Sequence, residues 1–470
     1  MLDRFREFFS QLADNCLTFS SEPIALEELA GSSVYFWLAE LASSTEKTIF
    51  FVTENNETAQ SALSYFETAK KILGLEHLPK AFFYPDPEPR NLLEYSPSDE
   101  LREAQDIVQH ALLQEDKAIV FCSASALFRR TIGTKNLRRS RLCLGSVSAG
   151  NVSGEERSSQ ISIEELCERL VAFGYSAESI VTRKGEFARR GGIVDVFPFG
   201  SYYPVRIDFF GDEIEEIKSF DPLTQRSVKS ISSVVILPKF ASLGAISIEE
   251  VVDAVEERFS EYKAQMAGKI AQSALYLISE TIKGDLRALQ EGTETPRSEF
   301  YLELAQLSDE LIFDFPSSET LLIFYEPPLI ENETASMRRF WQARFSDWRE
   351  NGLTFANFSD YYALPATSIE KFLREEWGKK HDGTRLKKRP SILVYSLKAP
   401  EGLSLRLISA EVSHIQMAPH TGRAFRSVAE TLTDTVAEYI IVSQFSSRVR
   451  EMLEGTEAKA SVYHGSLPRG

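Results

Sequence analysis

One short run of strand-forming residues, Val205–Phe210 (VRIDFF), offers an arginine and a phenylalanine on the same face. Side chains alternate across a strand with period two. Val205, Ile207 and Phe209 therefore share one side, which is wholly apolar and belongs to a core. Arg206, Asp208 and Phe210 share the other. Charge directs that second set to water, and an exposed aromatic beside an arginine is the composition of a protein-interface hot spot. The plainer alternative tucks Phe210 beneath the turn at Gly211-Asp212. Upstream, Arg189 and Arg190 precede Gly191-Gly192, where the backbone can turn tightly before residues 193–197 resume a strand. Adjacent arginines are commonly just solvated, but a neighbouring strand could place one of them near Arg206. The chemistry on offer is ion pairing and apolar docking rather than bond making.

The elements that must hold this strand follow from periodicity. Residues 163–173 have helical spacing and open a strand-rich unit that runs to about residue 238. Before it, apolar strands at 48–52, 82–84 and 118–122 alternate with helical stretches at 58–73 and 100–113, a pattern that implies a parallel sheet flanked by helices. Residues 139–160, rich in Ser, Gly and charge, read as a crossing between domains. After it, mixed α/β character returns: a charged amphipathic helix at 247–265, an apolar strand at 319–325 followed by Pro327-Pro328, a helix at 337–350, and a closing strand near 392–397. A further unit starts near residue 405, with strands at 439–443 and 460–463 around a helix at 446–453.

The totals bound the rest. A chain of 470 residues is expected to form about three domains. A net charge of −17 argues against a broad DNA-gripping surface, which needs clustered Lys and Arg. Cys16, Cys122, Cys143 and Cys167 are scattered, with no CxxC pair, so neither a zinc site nor a disulfide framework is expected and a reducing cytosol is the simple inference. No apolar run approaches the length of a membrane span or a signal peptide. The acidic cluster Asp208, Asp212, Glu213, Glu215 and Glu216 falls on both faces around a turn and reads as solvated charge. The basic residues 379–380 and 387–389 read as a solvated loop, with nucleic acid or an acidic partner as the sharper option.

The stretches GEFARRGGIVDVFP and PVRIDFFGDEIEEIKSFDPLTQRS, within residues 184–227, closely resemble the second domain of the bacterial transcription-repair coupling factors, a domain that also occurs in the excision-repair protein UvrB. In that family the domain binds UvrA. Its binding residues are an arginine before the glycine of RG, an arginine in the next strand and a phenylalanine four residues on, which here fall on Arg190, Arg206 and Phe210. The resemblance implies a fold of the α/β class. A helicase-like parallel-sheet domain lacking a nucleotide site (residues 1–155 and 241–404) is interrupted by a small strand-rich α+β UvrA-binding domain (156–240) and followed by an incomplete α/β domain (405–470).

A helicase-like domain should carry a P-loop, whose amides and lysine hold phosphate. The corresponding stretch, GSSVYFWLAELA from Gly31, has no lysine and no following threonine. UvrB's damage-probing aromatic hairpin also has no room between Tyr84 and Glu100. The expectation is a non-catalytic adaptor segment that recruits UvrA, with no catalytic, cofactor or metal residues. RNA polymerase, double-stranded DNA, ATP and Mg would be handled by modules after Gly470, and a C-terminal domain there would mask the UvrA surface. The rivals are a UvrB-like ATPase acting on damaged DNA and a purely structural scaffold.

Overall fold

A computed structural model describes residues 2–18, 23–29, 31–89, 91–92, 99–114, 117–145, 160–239, 246–293, 295–376, 380–381, 384–385, 389–401, 403, 405–412, 439–443 and 460–464. The predicted helix at 446–453, most of the 139–160 crossing, residues 93–98 and much of the 379–389 basic run lie outside them.

Its largest element is a seven-stranded sheet, built from β1 (Ile24–Leu29), β2 (Thr48–Thr53), β3 (Ala81–Tyr84), β4 (Ile119–Ser123), β15 (Thr320–Tyr325), β18 (Ser391–Val394) and β19 (Arg406–Val412). Their spatial order is β19-β1-β18-β15-β2-β4-β3, and every pairing is parallel. β2, β4 and β15 read TIFFVT, IVFCS and TLLIFY and are buried nearly throughout, as strands covered on both faces must be. Alternation splits them between two cores. Phe50 and Val52 join the core with helices 248–266, 272–290, 298–306 and 327–350, while Ile49 and Phe51 join helices 2–17, 33–44 and 56–72.

The chain crosses this sheet in two passes, with the strand-rich unit lying between β4 and β15 in sequence. The sheet also runs past residue 404. Arg406–Val412, read from sequence as the start of a further unit, pairs along β1 from Ile24↔Arg406 to Leu29↔Val412. An exposed edge of β1 supplies the unpaired backbone groups that this strand satisfies. A second difference concerns the helix expected at 337–350, which begins at Pro327. Proline is well suited to the first turn of a helix, where its missing N–H has no partner to lose.

The second sheet has six strands in sequence order: β7 (Ser176–Ala177), β8 (Glu186–Arg190), β9 (Ile193–Val196), β10 (Val205–Phe210), β11 (Glu213–Phe220) and β12 (Ser227–Ile231). Helix Ile163–Ala172 covers one face, placing Leu166 and Leu170 against Phe187, Val194, Val196, Val205, Ile207, Ile214 and Ile217. The remaining strands form pairs: β5 (Arg130–Ile132) with β14 (Leu307–Leu311), β6 (Leu142–Gly145) with β13 (Ser233–Ile236), β16 (Lys380–His381) with β17 (Thr384–Arg385), and β20 (Tyr439–Ser443) in parallel with β21 (Ala460–His464). The β6–β13 pair closes the small unit at its base, where the chain enters and leaves.

Candidate protein-docking face

The face of the six-stranded sheet opposite the helix collects the residues singled out in sequence, beside a small buried cluster of Val181, Ala188, Phe197 and Phe220. Across β8, β9, β10 and β11 one row runs Ala188–Asp195–Arg206–Lys218 and the next runs Arg190–Ile193–Asp208–Glu216. Two residues along a strand return to the same face, so Arg190 and Arg206 lie on one side, separated by about 9–10 Å across two strand spacings and about 7 Å along the strand. Arg189 falls in the row of Val194 and Ile207, on the helix side, and its Nη2 donates to Glu164 Oε1 at 2.6 Å. That ion pair fastens the helix to the sheet edge and takes Arg189 off the docking face.

Alternation along β10 keeps Phe210 on the face of Arg206 and Asp208, across from a bulge at Glu215 in β11. The register shifts between Asp208 and Phe209, so Phe209 faces Ile214 and Phe210 faces Glu213. Phe209 is half-buried against the apolar core, whereas Phe210 is 78% exposed. Gly211, at φ +65°, turns the chain sharply beyond it, and the ring does not tuck beneath that turn.

Arg206 is held far more tightly than alternation suggested. Its Nε donates to Asp195 Oδ1 at 2.7 Å and its Nη2 to Asp195 Oδ2 at 2.8 Å, a bidentate pair with a carboxylate that is 1% exposed. The guanidinium stacks 4.9 Å from the centroid of Phe220, a fully buried ring packed with Val181, Ala188 and Phe197. Its Nη1 is 3.5 Å from the Gln225 carbonyl, and Gln225, at φ +59°, is fixed by donating to Val181 O and Pro222 O. Hydrogen bonding to Asp195 raises the Arg206 pKa, with partial burial opposing it. Arg190 is exposed and donates to the Ser179 carbonyl at 2.7 Å. Lys218 bridges Asp208 and Glu216, so the face is an interleaved ladder of both charges rather than a cationic patch. Asp195, Phe220 and Gln225 were not flagged by the sequence. A charged residue between Val194 and Val196 signalled an outward position, but its pairing with Arg206 is a register fact.

At the carboxyl end of the large sheet, β1 leads through Gly31, at φ +58°, into helix Ser33–Ser44. The Glu28 and Leu29 amides donate to the Leu397 and Tyr395 carbonyls, and Glu27 Oε2 accepts from Ala399 N at 2.8 Å. Glu326, at the end of β15, accepts from Ser396 through its backbone N–H at 2.7 Å and through its hydroxyl. Glu27 and Glu326 thus both accept from the 396–399 segment that follows β18. Among the described residues there is no group of three or more His, Cys, Asp or Glu able to hold a metal ion, and no helix long and apolar enough to cross a membrane. All four cysteines are free.

Residues 156–241 match the family model of the UvrB interaction domain. The chain is similar to the transcription-repair-coupling factor of Bacillus subtilis, at 29% identity over 301 residues, covering 64% of this chain and 24% of that protein. It is 32% identical over 202 residues to the transcription-repair-coupling factor of Haemophilus influenzae, covering 43% of this chain and 16% of that protein. It is also 27% identical over 237 residues to the UvrABC system protein B of Clostridium acetobutylicum, covering 49% of this chain and 34% of that protein. The aligned part is thus about a third or less of each of these relatives.

Proposed function

We propose that this chain, which carries a UvrB interaction domain and is similar to transcription-repair-coupling factors, is a docking segment that recruits the excision-repair protein UvrA. The observation that carries the reading is the shared face of Arg190, Arg206 and Phe210, with the phenylalanine ring turned to water. A rigid aromatic anchor beside fixed cationic groups suits recognition of a protein surface that offers an apolar pocket rimmed by acceptors. Arg190 is exposed at the edge, and Arg206 is preorganised by its own ion pair.

In this reading residues 1–155 and 241 to about 412 are a helicase-like frame that holds the docking unit and turns over no nucleotide. Support comes from the missing P-loop lysine and from Glu27 and Glu326, carboxylates near the carboxyl ends of β1 and β15 that disfavour a polyphosphate. Coupling of stalled RNA polymerase to excision repair in the cytoplasm, with ATP, Mg and double-stranded DNA handled by other modules, is the whole-protein role into which the segment would fit.

The test is capture of purified UvrA by the 470-residue chain on a biosensor, with the Phe210→Ala chain beside it. Binding by the first and a large loss in the second supports the reading; equal binding by both removes Phe210 from the site, and no binding by either removes the function. The alternative, a UvrB-like ATPase acting on damaged DNA, predicts phosphate release above buffer by the same chain in a malachite-green assay with Mg-ATP.

A further inference from the structure

We infer that Asp195 is a positioning residue for docking: it holds Arg206 so that only the terminal pair of guanidinium N–H groups is presented to an acceptor pair on the partner, such as a carboxylate. This rests on the proposed docking role of the face.

A guanidinium has two edges able to form a fork. The side edge is made by Nε–H and one Nη2–H, and the end edge by the outer hydrogens of Nη1 and Nη2. Asp195 takes the side edge with both oxygens, at 2.7 and 2.8 Å. The plane is fixed from beneath by the Phe220 ring at 4.9 Å, and Phe220 is itself immobilised by Val181, Ala188 and Phe197. The Gln225 carbonyl, 3.5 Å from Nη1, flanks the end edge without occupying it fully. The side chain remains 20% exposed, while Asp195 is almost wholly enclosed. A long flexible side chain is thereby reduced to one orientation before the partner arrives, and less ordering remains to oppose association.

The arrangement also makes a selective surface. The Asp195 charge offsets that of Arg206, so attraction depends on direct contact with the end edge rather than on long-range field. A lysine at 206 can pair with Asp195 and retain the charge, but it has no second edge to offer. An asparagine at 195 keeps the size of the aspartate, yet turns one N–H₂ toward the arginine's own donors and releases the guanidinium from its plane.

The experiment is a four-cornered comparison of UvrA affinity on a biosensor, using the full chain as wild type, Asp195→Asn, Arg206→Lys and the double variant. None of the variants leaves a buried carboxylate without a cation. Positioning predicts that Asp195→Asn weakens capture by about tenfold in the wild-type chain and by less than twofold in the Arg206→Lys chain, where no end edge exists to be aimed. Equal losses in both backgrounds would mean that Asp195 only supports the sheet, and would overturn the inference. Wild-type affinity in Asp195→Asn or in Arg206→Lys would overturn it as well. Normal capture by Phe210→Ala together with Arg206→Lys would bring down the docking face itself. A loss in Phe210→Ala with none in Asp195→Asn would leave the docking face standing and refute this step alone.

Discussion

Replacing Phe210 by alanine should separate binding from folding, because its ring is 78% exposed while Phe209 beside it is packed into the core. A phenylalanine carries roughly 200 Å² of buriable surface. With about three quarters of that still in water, burial on docking at about 25 cal/mol per Å² gives an upper value near 4 kcal/mol. Rotamer ordering and residual exposure in the complex reduce it to about 2–3 kcal/mol, or roughly a 30- to 150-fold loss of affinity for UvrA. The same substitution removes almost nothing from the folded core, so stability in urea should change by less than about 0.5 kcal/mol. Phe209→Ala should reverse the pattern and cost about 2–3 kcal/mol of folding stability. The paired assay is biosensor titration with UvrA and urea unfolding followed by circular dichroism, since none of the four tryptophans lies in residues 156–240. A Phe210→Ala chain that binds UvrA within twofold of wild type, or that loses as much stability as Phe209→Ala, would refute the reasoning.

Arg206→Ala leaves the enclosed Asp195 carboxylate without its partner and should cost about 2–4 kcal/mol of stability, so Arg206→Lys is the cleaner probe of binding; urea midpoints of the two variants check the difference. Tyr362→Phe removes a hydroxyl that contacts both Asp86 and Arg129 within a buried network, and should lower stability by about 1–3 kcal/mol by the same measurement. His110 is enclosed with neither ring nitrogen hydrogen-bonded, and burial, aided by Arg141, pushes its pKa down to about 3. Its folded-state pKa lies below the ordinary value, so its stabilising effect is complete above about pH 6.5 and is lost as pH falls toward 3, at up to about 1.4 kcal/mol per pH unit. Thermal scans from pH 7 to pH 4.5 should show a shallower decline for His110→Leu than for wild type.

Periodicity makes the outward set Arg206, Asp208 and Phe210 legible in the sequence, because alternation is a local property of the strand. The buried runs of β2, β4 and β15 were legible for a similar reason: continuous apolar strands bounded by turns have few other uses. Register was not legible. That Asp195 stands opposite Arg206, and that Arg189 and Arg190 part to opposite faces with Arg189 on Glu164, depends on pairing between segments. The helix Gln272–Gln290 was legible in the stripe Ile278, Ile282, Leu286 and Leu289 but was not read, whereas the start at Pro327 was masked because paired prolines read as a breaker. The addition of Arg406–Val412 to β1 depends on an open edge that no local pattern announces.

The two-pass construction of the large sheet has a consequence during synthesis. β1 finds its neighbour only when Ile392 has emerged to meet Ile24, which at about 5–20 residues per second leaves the first strand waiting roughly 20–70 s on the ribosome. The strands from Ser176 to Ile231, by contrast, pair with sequence neighbours, so the nascent polypeptide can complete that unit while its surroundings are still unfinished. The apolar first strands are thus the stretch that needs chaperone shelter, and slow codons placed shortly after residue 240 would lengthen that vulnerable interval.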